Sequence, residues 1–61
     1  MKLIDVLEVA LTEVIVVDPY GEIARGWYDD LFEMVVDDKA LRDREVFSIV
    51  PEGEALKVYV F

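Results

Sequence analysis

Glu13-Val14-Ile15-Val16-Val17-Asp18-Pro19-Tyr20-Gly21 is the stretch on which the fold turns. Four consecutive β-branched residues between two acids predict a strand buried on both faces, because successive side chains of a strand point to opposite sides. Asp at the first position, Pro at the second and Gly at the fourth suit a type I turn. The chain resumes at Glu22 and runs to Trp27, with Ile23, Arg25 and Trp27 on one face. Residues 13–27 therefore predict a β-hairpin.

Working outward, Leu3, Leu7, Ala10 and Leu11 recur at helical spacing with Ile4 beside them, which predicts an amphipathic helix over Lys2–Leu11. Asp5 lies in its first turn, where negative charge suits the helix dipole. Beyond the hairpin, Gly26 allows a close backbone approach or a bend. Tyr28, Leu31, Phe32 and Val35 then predict a second helix from Tyr28 to about Val36, with Asp29 and Asp30 in its first turn. Asp37–Asp43 is a charged connection in which Ala40 and Leu41 dip back toward the core. Glu45–Val50 predicts a third strand, Pro51-Glu52-Gly53-Glu54 a turn, and Ala55–Phe61 a last strand. Leu56, Val58 and Val60 of that strand face one way; Lys57, Tyr59 and Phe61 face the other.

The expected class is α+β: one domain over residues 1–61, a small four-stranded, mainly antiparallel sheet with one or two short helices, in the order α-β-β-α-β-β. The last strand, if it lies at an edge, offers open hydrogen-bonding groups to a partner. Most of the seven aromatic residues are expected to fill the core. Tyr20 is expected at an exposed turn tip, and Trp27 and Phe61 are candidate anchors for a partner or a dimer.

The chain has 61 residues, 56% of them hydrophobic, with fourteen acids against six bases and a formal charge of −8. It contains no His, Cys, Asn or Gln, and one Ser and one Thr. A domain this small is marginal without disulfides, metals or oligomerisation. Without Cys or His, a dense apolar core and self-association are the remaining supports, so a homodimer or higher oligomer is one expectation. An acid at position five interrupts any apolar signal segment, and the longest apolar run is Val14–Val17. These features predict a soluble, cytoplasmic protein. The charge opposes direct binding to nucleic acid or to anionic membranes and favours basic protein surfaces.

Catalytic residues are not expected. Ser48 and Thr12 have no His to activate them, and paired carboxylates need a pocket that a chain of this size rarely encloses. The three glycines match no phosphate-binding loop, so no cofactor is expected. Asp29-Asp30 and Asp37-Asp38 carry oxygen ligands, but adjacent acids on a helix point apart, and no metal site is assigned.

The candidate partner-binding residues are Asp29, Asp30, Glu33, Asp37 and Asp38, with Trp27 beside them. Asp29, Glu33 and Asp37 fall at i, i+4 and i+8. Neighbours at that spacing lie about 6 Å apart and repel, a spacing comparable with phosphates along a nucleic-acid strand. Such a stripe can occupy a basic groove built for nucleic acid; the alternative is a solvated acidic face. Lys39, Arg42 and Arg44 cluster around Asp43, either pairing with nearby acids or, with Arg25 across a dimer, forming an anion pocket for a nucleotide.

The opening Met1-Lys2-Leu3-Ile4-Asp5-Val6-Leu7 helix, the strand into Asp18-Pro19-Tyr20-Gly21-Glu22, the short acidic helix and Asp43-Arg44-Glu45-Val46-Phe47-Ser48-Ile49 together resemble small acidic accessory proteins carried by phages and prophages of Gram-positive bacteria. The resemblance is one of organisation along the whole chain, with no diagnostic motif. Some of those proteins inhibit bacterial defence, among them anti-CRISPR proteins. The resemblance thus implies a non-enzymatic inhibitor of a host defence or nucleic-acid-handling protein. Other expectations are a small oligomeric scaffold held through the last strand and a nucleotide-signal sponge using Lys39, Arg42 and Arg44.

Overall fold

A computed structural model describes residues 1–61. The elements are α1 (Leu3–Val9), β1 (Glu13–Asp18), β2 (Gly21–Trp27), α2 (Tyr28–Val36), α3 (Lys39–Arg42), β3 (Val46–Glu52) and β4 (Ala55–Val60). The class is α+β, as expected, with a third short helix inside the charged connection. That helix forms because Asp38 caps it, its carboxylate accepting from Leu41 N–H at 3.2 Å.

The strand order is β2-β1-β4-β3. The two hairpins are antiparallel, but β1 and β4 pair in parallel, Val14 opposite Leu56 and Val16 opposite Val58. The sheet is therefore mixed, and β4 lies inside it rather than at an edge. The segment between the hairpins, α2 and α3, supplies the length that a parallel crossover needs. The edges are β2 and β3. The start of β3 is covered by the N-terminal residues, Met1 C=O accepting from Val46 N–H at 2.7 Å and Arg44 C=O accepting from Leu3 N–H at 2.9 Å. Pro51 near the other end of β3 removes a donor that would invite a further strand.

The turns differ in chemistry. Pro19 and Tyr20 have negative φ, which excludes the primed hairpin turns and type II and is compatible with the type I turn that the sequence predicts. A type I turn twists against its flanking strands. Gly21 at φ 132° and a bulge opposite Val16/Val17 absorb the mismatch. In the second hairpin β3 runs on through Pro51 and Glu52, so the loop shrinks to Gly53-Glu54. Gly53, at φ 61°, supplies the positive φ of a type II′ turn.

All three helices lie on one face of the sheet. α1 and α2 lay Leu3, Val6, Leu7, Ala10, Leu31 and Val35 over Val14, Val16, Val58 and Val60. α1 is shorter than expected: Ala10 ends it, and Leu11 projects into solvent. Val14, Ile15 and Val16 are all buried, as the strand reading requires. The buried set is wholly aliphatic. The expectation that aromatics fill the core is overturned, because two helices of seven and nine residues leave a gap that Leu and Val close. Tyr28 and Phe32 sit at the rim of the core. Trp27, Phe47 and Phe61 are more than half exposed.

Candidate functional site

α2 begins at Tyr28, directly after β2, and its apolar stripe of Leu31 and Val35 faces the sheet. Asp29, Asp30 and Glu33 are thereby turned outward, and all three are exposed. The helix ends at Val36, but Asp37 keeps near-helical angles (φ −96°, ψ −2°). The stripe of Asp29, Glu33 and Asp37 therefore persists along one helix face. Asp38 leaves that line to cap α3.

None of these five carboxylates forms an ion pair. All the cations but Lys39 are committed elsewhere. Arg25 holds Glu22 at 2.8 Å, Lys57 holds Glu52 at 3.6 Å, Lys2 holds Asp43 at 3.6 Å, and the N-terminal amine holds Glu45. Arg42 donates to Asp43 Oδ1 at 3.3 Å and to the Val36 carbonyl at 3.2 Å. Arg44 donates to Asp18 Oδ2 at 3.2 Å, so only Lys39 of the basic cluster has no carboxylate partner. The anion pocket expected of Lys39, Arg42 and Arg44 has two of its three cations engaged in holding the fold.

Where α1 crosses α2 the surface opens into a groove of about 380 Å³, lined by Leu7, Glu8, Tyr28, Asp29, Phe32 and Glu33. Its floor is apolar and aromatic, and its rim is three carboxylates. Glu8 of α1 belongs to this rim although the sequence stripe does not include it. Its signal is the helical spacing that places it beside Leu7 on the flank of α1. Trp27 does not join the site. A Cβ on Gly26 would point at Leu31, 3.7 Å away on the helix side, so alternation sends Trp27 to the opposite face of the sheet.

The charges that are perturbed lie away from this groove. The backbone N–H of Tyr20 and then the Arg44 guanidinium hold the Asp18 carboxyl below its ordinary value, against some desolvation. The Arg25 guanidinium lowers Glu22 and is itself raised by that carboxylate. These are structural ion pairs that fasten the first hairpin. No three carboxylates form a group able to hold a metal ion. No helix is long and apolar enough to cross a membrane. No family model, curated protein or solved structure matches the chain.

Proposed function

We propose that this chain is a non-enzymatic binding protein that docks its helical face on a basic protein surface. The observation that carries the proposal is the groove between α1 and α2, an aromatic floor of Tyr28 and Phe32 inside a rim of Glu8, Asp29 and Glu33. An arginine or lysine of a partner lays its aliphatic stem and cationic head over such rings, while the rim carboxylates accept its hydrogen bonds. Asp30 and the continuation of the stripe to Asp37 and Asp38 extend the negative surface beyond the groove. The partner best suited to so regular a row of anions is a bacterial host protein whose basic surface handles nucleic acid, and occupying that surface would inhibit it. A defence factor blocked by a phage-type protein, as anti-CRISPR proteins act, fits this chemistry.

Immobilised chain incubated with bacterial lysate at 50 mM and 500 mM NaCl tests the proposal. A partner retained only at low salt, and lost when Asp29→Asn, Glu33→Gln and Asp37→Asn are combined, supports it. Retention indifferent to both changes overturns it.

A further inference from the structure

The face of the sheet away from the helices has no second layer, and most of the exposed aromatic surface lies there. Alternation along the strands places Trp27, Ile23, Tyr59, Phe61, Phe47 and Val50 on it. Five of these are large apolar side chains at 40–66% exposure: Ile23, Trp27, Phe47, Val50 and Phe61. Ile15 lies on the same face outside the helix-side core, yet is buried, with Arg25 and Lys57 as its register partners.

The arrangement has a direction. With β1 running upward and the strands in the order β2-β1-β4-β3, Trp27 stands at the lower outer corner, opposite Glu13. Phe47 and Phe61 stand at the diagonally opposite corner, their ring centroids 4.6 Å apart, with Tyr59 6.1 Å from Phe47. The other two corners carry one ion pair each, Arg25 with Glu22 and Lys57 with Glu52. With Glu13, the face holds two cations and three carboxylates, a net of −1 out of the chain's −8.

We propose that this face is a homodimer interface, two copies packing sheet on sheet about a two-fold axis along the diagonal that joins the ion-pair corners. That axis lays Trp27 of each copy on the Phe47–Phe61 pair of the other. It also brings each ion-pair corner, neutral in itself, onto its own counterpart. The strands cross near a right angle, one of the two usual ways in which sheets pack. Charge selects a second copy as the occupant, because this face is nearly neutral and self-complementary, while the helical side of each chain repels its like. The two longer extents of the molecule, 29 and 24 Å, bound the face. A rectangle of that size, about 700 Å², is a ceiling on the face and lies below the ~800 Å² that each partner contributes to a standard interface, which makes the dimer a weak one. The dimer keeps both acidic grooves outward, and it stands whether or not a basic partner binds them.

Sedimentation equilibrium between 5 and 500 µM (roughly two decades around typical weak-dimer affinities) reads the mass directly. The expected result is a rise from 7.0 kDa to twice that value, with the dimer tighter at 0.5 M than at 0.05 M NaCl because salt screens the repulsion between chains. Trp27 is the only tryptophan, so its emission should shift to the blue over the same concentration range. Phe61→Ser should weaken association about tenfold or more and abolish that shift with far-UV circular dichroism unchanged. Met34→Ser, on the helical side and 52% exposed, should leave both intact. A monomer at every concentration would assign the face to a different partner and overturn the proposal. A dimer whose Trp27 emission ignores concentration would place the interface elsewhere, with the same consequence, and that measurement needs no variant.

Discussion

Glu33→Gln combined with Asp37→Asn should make the protein more stable. The double variant removes two like-charge pairs, Asp29 with Glu33 and Glu33 with Asp37, each costing about 0.2–0.5 kcal/mol on a helix surface. It also removes an acid from the C-terminal end of α2, where a negative charge costs at most a further ~0.3–1 kcal/mol against the dipole, an amount the Arg42 guanidinium on the Val36 carbonyl reduces. Asp29 is retained, since at the N-terminal end the dipole favours it. The terms sum to about 1 kcal/mol, which for a domain of this size raises Tm by roughly 4–8 °C. Thermal melts followed by circular dichroism at 20 mM and 1 M NaCl provide the assay. The gain should be present at low salt and nearly absent at 1 M, where the screening length is about 3 Å. Equal or lower stability at low salt would mean that these carboxylates serve the fold, and the case for their serving a partner would fail.

Leu7→Ala empties a site that is 2% exposed and should cost about 2–5 kcal/mol. Against the ~3–9 kcal/mol expected of a 61-residue domain, the variant should be partly unfolded at 25 °C in urea titrations that leave the parent folded. Gly53→Ala meets no neighbouring atom but forces a side chain to φ 61°, so chemical denaturation should report a loss of about 1–2 kcal/mol. Asp18 and Glu22 have folded values below their ordinary 3.8 and 4.5, so their contribution to stability is present above those values and is lost as pH falls through the lower folded ones. Carboxyl NMR titration should place both midpoints below the ordinary values, and Arg44→Gln should move that of Asp18 upward; an unmoved midpoint would remove Arg44 as a cause.

The elements were legible where periodicity and turn chemistry agree. Val14–Val17 followed by Asp-Pro-Tyr-Gly marks the first hairpin, and Tyr28, Leu31, Phe32 and Val35 mark α2. The pairing of β1 with β4 was not legible, because both are apolar strands of similar length and nothing local states which neighbour each takes or in which direction. The exposure of Phe47 was hidden for a related reason: hydrophobicity reports that a residue seeks cover, and only the assembled sheet shows that the helices cover one face. The acidic stripe was visible as a spacing, but its groove was not, because Leu7 and Glu8 reach Tyr28 and Phe32 only through the crossing of α1 and α2. Trp27 is a candidate anchor as an exposed aromatic beside the acids in sequence, and the alternation of β2 separates it from them.

The most direct measurement is competition on the captured partner. Its affinity for the chain and for nucleic acid is to be determined at 50 and 200 mM NaCl, with the parent and the Asp29→Asn, Glu33→Gln, Asp37→Asn variant. The account predicts that chain and nucleic acid displace one another, that both affinities fall steeply with salt, and that the variant binds at least about tenfold more weakly. A ternary complex in which the variant binds as tightly as the parent would contradict it.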